Sequence, residues 1–148
     1  MAKPFRLRAV LAYRERRALE QEALVGRLLR AESEARRILH DLRVHLAEEQ
    51  QRVVAAPAAQ IDLPDTQRAQ VYRELEEGLI AVQAAAVDAL SVQRQRAQEE
   101  LVVRKQERRA LDKLRERYEA AVAADEQRRE ALHLDNLTMS RTARGRAG

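Results

Sequence analysis

The side chains in this sequence that could do chemistry are three histidines and several adjacent carboxylates. His40 and His45 are five residues apart and do not share a helical face, while His133 is far from both, so their spacing does not fit a metal site. Adjacent acids such as Glu48 and Glu49 point apart on a helix, and no pattern beside them predicts the pocket that acid–base catalysis requires. A phosphate-binding glycine loop and a nucleophile elbow are also missing. We therefore predict a protein that is not an enzyme and that uses no metal or cofactor.

The composition favours long helices over a compact domain. Of 148 residues, 35% are charged and 3% aromatic, and alanine supplies much of the 45% that is hydrophobic, so large side chains for a core are few. Four glycines and three prolines leave few places to turn. No apolar run approaches the roughly 18 residues that cross a bilayer, and the first residues lack the apolar core of a signal peptide. We expect an all-α, cytoplasmic protein.

Two helical patterns flank one clear break. The break is VVAAPAAQIDLPD, residues 53–65, where Pro57 and Pro64 interrupt any helix. Before it, positions 11, 18, 25, 32, 39, 46 and 53 read Leu, Ala, Val, Glu, Leu, Leu and Val, which is a heptad column and requires a partner helix. After the break, apolar residues including Leu75, Leu79 and Val82 keep helical spacing and drift from a strict heptad.

These patterns predict a single antiparallel coiled-coil hairpin over residues 1–148. We expect helix one at about 4–56, a turn at about 57–64, helix two at about 65–138 and a disordered basic tail at about 139–148. In this hairpin the numbers of facing residues add to about 121. Three apolar pairs then follow: Leu39 with Val82, Leu42 with Leu79, and Leu46 with Leu75.

Helix two should extend beyond the end of helix one, and positive charge should be concentrated near the two chain ends. Residues 1–17 hold six Lys/Arg against Glu15, and residues 138–148 hold three arginines and no acid. Such a basic region attracts nucleic acid, an anionic membrane surface or an acidic protein. Aromatic stacking residues are scarce, so we expect a protein partner and no nucleic acid, with a passive coiled-coil adaptor or a nucleic-acid-associated rod as alternatives.

Two terminal blocks resemble the flagellar export stalk family FliJ. The N-terminal stretch FRLRAVLAYRERRALEQE fits that family's Phe-x-Leu-x-x-Leu-Leu-x-x-Arg pattern at Phe5, Leu7, Val10, Leu11 and Arg14. The stretch from residue 104 to residue 141, which begins RKQERRALDKLRER, is similar to the family's basic C-terminal block. Its matching positions are Arg104, Lys105, Arg109, Leu111, Leu114, Arg117, Glu126, Glu130, Leu134 and Asp135.

The resemblance implies a fold similar to the coiled-coil stalk of rotary ATPases. Members of the family insert the end that carries both termini into the hexameric ring of the export ATPase, promote ring assembly and couple ATP hydrolysis to protein export. The protein would be cytoplasmic and would reach the inner face of the membrane through the export apparatus. The residues expected to bind the ring are Arg8, Arg14, Arg104, Arg108, Arg109, Arg117, Leu132 and Leu137.

The resemblance also implies a second surface, nearer the turn, for the cytoplasmic domain of the export gate. Some members of the family escort export chaperones as well. The family has aromatic residues at two gate-facing positions where this chain has His45 and Glu49. A stalk of a virulence-type secretion system is the nearest alternative within the same class. The residues expected to bind the gate are Ile38, Leu42, His45, Glu49, Val71 and Leu75.

Overall fold

Two long helices make up the described chain. The computed structural model describes residues 3–55 and 63–147, with α1 at Arg8–Ala55 and α2 at Leu63–Ala147. Within these two ranges there is no β-strand, and the predicted all-α class is confirmed. The predicted turn falls largely on residues 57–62, which lie outside the described ranges.

The helix N-termini follow from local chemistry. α1 begins four residues later than expected, where the Arg8 amide donates to the Phe5 carbonyl at 3.1 Å and the Leu11 amide donates to the Leu7 carbonyl at 2.9 Å. α2 begins at Leu63, so Pro64 occupies a first-turn position that needs no amide donor. Asp65 lies in that first turn, where a carboxylate favours the positive end of the helix dipole.

The C-terminal end of α2 extends through residues 139–147, for which the sequence predicts a disordered tail. No proline follows Pro64, so nothing in the covalent chain stops the helix. The hydroxyl groups of Thr138 and Thr142 each donate to the carbonyl four residues earlier at 2.9 Å, which keeps these side chains bonded within the helix. Basic side chains in the last turn also favour the negative end of the helix dipole.

The chain folds as two compact units, each built from a segment of α1 and a segment of α2. We call Met1–Leu19 with Val103–Gly148 the terminal unit, and Glu20–Val102 the central unit. In the terminal unit, Arg14 contacts Glu107 at 2.6 Å and the rings of Phe5 and Tyr118 are 5.6 Å apart. Residue numbers therefore rise along α1 as they fall along α2, and the two segments are antiparallel.

The two helix segments of the central unit are also antiparallel. The Gln21 side-chain amide donates to the Ala97 carbonyl, and the Gln83 amide donates to the Ala35 carbonyl, both at 2.9 Å. Across the contacts of both units, the paired residue numbers add to between 118 and 126, close to the predicted 121. The small apolar cluster of this unit is formed by buried Ala35, Leu39 and Val87 with half-buried Ile80, Ala84 and Leu90.

The heptad column predicted for α1 lies in the contact with α2. Leu11, Ala18, Val25 and Leu39 retain only 2–7% of their exposure, and the polar member of the column, Glu32, is also buried. Leu46 is half-buried, and the column ends beyond it.

The seam of α2, by contrast, differs from the prediction. It keeps a strict heptad, and the predicted drift is wrong. Leu75, Leu79 and Val82 are 63%, 58% and 71% exposed. The predicted pairs therefore have the correct position along the helix axes, but the residues predicted on α2 lie on a face that is not in contact with α1. Several seam positions hold polar residues, so a search for apolar side chains alone does not reveal the heptad repeat of α2. The seam positions, all buried or half-buried, are 76, 80, 83, 87, 90, 94, 97, 101, 104, 108, 111, 115, 118 and 122.

A buried ion pair occupies the seam of the central unit. The Arg94 guanidinium donates through Nε to Glu32 Oε2, and Arg36 contacts Glu32 Oε1 at 2.6 Å. Glu32 is only 4% exposed. The hydrogen bond from Arg94 outweighs the effect of burial and holds the pKa of the Glu32 carboxyl below its ordinary value of 4.5, with Arg36 and Ser91 acting in the same direction.

We expect Glu32→Gln to reduce the acid sensitivity of the fold. Because the folded-state pKa of Glu32 is lowered, its stabilising effect is present above about pH 4.5 and is lost as the pH falls through the lower folded value. Melting curves between neutral and acid pH should therefore converge for the variant and the wild type at low pH, with the variant less stable at neutral pH.

Glu34→Gln is the matched control for this prediction. The Glu34 pKa is also lowered, by Arg37, but both side chains are more than half exposed. The effect of Glu34→Gln on the melting temperature should therefore decrease as salt is added, whereas the effect of Glu32→Gln should remain at high salt. Equal salt sensitivity of the two variants would contradict a buried role for Glu32.

A second prediction concerns Gly78, which lies inside α2, well beyond its first turn. A Cβ added there would meet no atom within 4 Å. Glycine inside a helix costs about 0.5–1 kcal/mol relative to alanine. Gly78→Ala should therefore raise the free energy of unfolding by about that amount in urea titrations. Gly145→Ala, equally open but near the end of α2, should gain less because helix ends fray; a loss of stability at Gly78 would refute this account.

Candidate partner-binding surfaces

The two sets of candidate residues belong to different units. All eight ring candidates lie in the terminal unit and all six gate candidates lie in the central unit. The terminal unit contains 18 Lys/Arg against 9 Asp/Glu, and the central unit contains 10 against 15. The formal charges are therefore +9 and −5, and each unit attracts partners of the opposite sign.

Three of the six candidate arginines lie in the contact between the helices. Arg14 forms its ion pair with Glu107, and Arg104 donates through Nη1 to the Arg17 carbonyl at 3.2 Å. Arg108, 3.9 Å from Asp112, occupies another half-buried seam position. These three side chains already serve the packing of the terminal unit, so replacing them would disturb the fold as well as any partner site.

The other three candidate arginines are on the surface. Arg8, Arg109 and Arg117 are all exposed. Because none of them lies at a seam position, their charge can be reversed without opening the helix contact. They are the candidates through which a charged partner of the terminal unit can be tested most cleanly.

The apolar ring candidates lie on a stretch of α2 that is exposed throughout. Every described side chain from Ala123 to Arg146 is exposed, with Leu132 at 63% and Leu137 at 44%. Leu132 shares a shallow groove with Met139 and Ala143, which follow it at heptad spacing. This stretch has the length of about seven helical turns and presents apolar side chains to solvent.

Three of the six gate candidates line one groove of the central unit, and the other three are not part of its lining. His45 Nε2 lies 3.1 Å from Glu76 Oε1, and Leu42, Leu75 and Leu79 line the same groove. Ile38 and Val71 are 39% and 58% exposed, and Glu49 is half-buried and contacts Arg52 at 3.1 Å. The groove is largely apolar, which suits an apolar partner surface better than a small charged ligand.

Sequence reasoning missed six residues that line this groove, and three of them have large apolar or aromatic side chains. Leu79 and Val82 were assigned to the seam, yet both are more than half exposed. Tyr72 also lines the groove, and the neighbouring Glu76 carboxylate raises the pKa of its phenol. The signal was present as apolar residues at positions 71, 75, 79 and 82, a helical strip that runs beside the polar seam.

Neither a metal cluster nor a membrane span is found in residues 3–55 and 63–147. No group of three or more His, Asp or Glu side chains is placed to hold a metal ion there. No helix in the same ranges has a stretch both long and apolar enough to cross a bilayer.

Comparison with known proteins identifies the family. Residues 2–147 match the family model described as Flagellar FliJ protein. No match was found among curated proteins or among solved structures. Because the family match covers nearly the whole chain, this chain belongs to the FliJ family of flagellar export-related proteins.

Proposed function

We propose that this protein is the stalk and coupling component of the flagellar type III export ATPase complex. Its terminal unit would insert into the ATPase hexamer and promote the assembly and activity of the ring, and the protein as a whole would link the ATPase to the export gate. The observation that carries the proposal is the coincidence of the family match with a terminal unit of charge +9 and an exposed C-terminal helix. A basic unit attracts the acidic side chains of a partner, and the exposed apolar side chains of the C-terminal helix offer a surface that a partner can bury.

The same proposal assigns the central unit to the export gate. Its apolar groove and exposed strip give a surface for the gate's cytoplasmic domain, and export chaperones are a further partner class. Location would follow from these partners, with a cytoplasmic protein held at the membrane peripherally. DNA binding with a steep salt dependence and no effect on the ATPase would instead favour the nucleic-acid-associated alternative.

Charge reversal tests the ring contact. The double variant Arg109→Glu with Arg117→Glu should raise the concentration needed for half-maximal ATPase stimulation about tenfold or more, equivalent to about 1.4 kcal/mol of lost binding. Both positions are exposed and outside the seam, so circular dichroism should be unchanged.

The matched control carries the same charge change elsewhere. Arg43 and Arg96 are exposed arginines of the central unit, and Arg43→Glu with Arg96→Glu should stimulate the ATPase normally. If wild-type protein gives no stimulation, or if both double variants lose it equally, the proposed ring contact is wrong.

Apolar-to-acid changes test the gate contact separately. Val71→Asp with Leu75→Asp should weaken binding to the gate's cytoplasmic domain at least about tenfold, because a desolvated carboxylate would enter an apolar contact. ATPase stimulation should be retained, since these residues lie in the central unit. Val102→Asp, at 55% exposure and outside the strip, is the control; unchanged gate binding by the strip variant would exclude this surface.

A further inference from the structure

One face of α2 in the central unit is apolar, exposed and bordered by acids. We call Val71, Leu75, Gly78, Leu79 and Val82 the acidic-edged strip; its four large side chains are 58–71% exposed. Residues 71–89 contain four acids and a single base, Arg73. The exposed acids Glu74, Glu77 and Asp88 fall along the same edge by helical spacing. A contiguous apolar face of this kind marks an interaction surface.

The bare backbone at Gly78 adds a preference for a helical partner. The position is open to solvent, so no neighbour within the chain requires glycine there. A residue without a side chain in the middle of an apolar helical face allows another helix to approach closely. The strip is therefore shaped for a helix that has an apolar stripe and basic residues beside it.

The chain itself carries such a helix. In α2 beyond residue 127, Leu132 and Met139 are 63% and 71% exposed and share one face with Ala143; we call these three residues the basic-edged face. Arg128 and Arg146 are eighteen residues apart, which is five helical turns, and so lie on the same side of that face. Residues 128–147 contain five arginines against two acids, one of which, Asp135, lines the same groove. The net balance is the reverse of that along the strip.

Pairing the strip with a second strip is less favourable. When two identical helix faces pack in antiparallel fashion about a twofold axis, each edge meets the same edge of the other copy. Glu74, Glu77 and Asp88 of one copy would then approach the same acids of the second copy. Like charges at a contact oppose association, whereas a basic helix relieves this repulsion.

We propose that the basic-edged face of one copy docks on the acidic-edged strip of a second copy. Each copy has one surface of each kind, so the contact is head-to-tail and can continue from copy to copy. The contact would cover Leu132 and also Val71 and Leu75. If the ring and gate contacts proposed above are right, self-association and partner binding exclude each other, and the assembly keeps unengaged protein inactive. The assembly itself does not depend on that function.

Sedimentation of the isolated full-length chain tests the assembly directly. The average mass of wild-type protein should rise with concentration from that of the 17.0 kDa monomer, pass that of a dimer, and fall again at high salt. Leu79→Asp with Val82→Asp should remove the strip, and Leu132→Asp with Met139→Asp should remove the basic-edged face. Each double variant alone should stay monomeric at concentrations where the wild type assembles.

Mixing the two variants gives the sharpest result. Only one intact surface of each kind is then present, so a head-to-tail contact predicts a one-to-one dimer that grows no further. Leu132→Ala with Met139→Ala, which keeps helix propensity, should weaken assembly in the same direction and guards against loss of helix as the cause. Leu19→Asp, at 62% exposure, is the control and should assemble like the wild type.

Three outcomes would overturn the proposal. Wild-type protein that stays monomeric at every concentration would exclude the contact. Dimers that require the strip but form equally well with the Leu132→Asp and Met139→Asp variant would show strip-to-strip pairing instead. A mixture of the two variants that does not pair would exclude the head-to-tail contact. None of these measurements involves the ATPase or the gate, so failure here and failure of the proposed function are separately visible.

Discussion

The structure depends on one constraint, the heptad register of α2 against α1 within each unit. In the columns of α1, small or polar residues such as Ala18, Gln21 and Glu32 take positions that a strong coiled coil gives to leucine. Apolar burial at each level is therefore small. Directional contacts must therefore hold the register. They are the hydrogen bonds and ion pairs that join particular residues of α1 and α2.

Those directed contacts recur along both units. Gln21 and Gln83 each donate to a carbonyl of the opposite helix, and Arg104 does the same through its guanidinium. Backbone carbonyls recur at every turn, but sliding one helix by a turn would separate Arg94 from Glu32 and Arg14 from Glu107. The buried Glu32 carboxylate would then lose its partner on the opposite helix, which is costly. Polar seam residues thus specify the alignment that the weak apolar seam cannot specify alone.

This division of roles explains which parts of the fold could be read from the sequence. The seam of α1 was predictable because Leu11, Val25 and Leu39 repeat at heptad spacing and are buried. The seam of α2 was not, because Arg94 and Gln83 occupy positions where an apolar pattern is sought, and their partners on α1 become evident only in three dimensions. The predicted position of each pair along the helices was still correct, because it depends on where the break at residues 53–65 lies and not on side-chain type.

The same reasoning separates the candidate surfaces into predictable and unpredictable parts. The presence of arginine near both chain ends is a property of the sequence, whereas the use of Arg14 and Arg104 within the helix contact depends on which face of each helix turns inward. Likewise, the apolar residues of α2 were visible at once, but their exposure required the correct seam to be known. Position along a helix is local information, and orientation around it is tertiary information.

Once the seam of α2 is located, the large apolar side chains that lie outside it need a separate explanation. Between residues 71 and 83, Leu75, Leu79 and Val82 of α2 face solvent, while the seam positions hold Glu76, Ile80 and Gln83. A chain shaped only for stability would exchange them, because burying leucine is favourable and burying glutamate is costly. Exposed apolar surface beside a buried carboxylate is therefore difficult to explain within one molecule. It is explained if the seam sets alignment while the strip provides the surface for association, so that stability of the isolated chain is reduced in favour of binding.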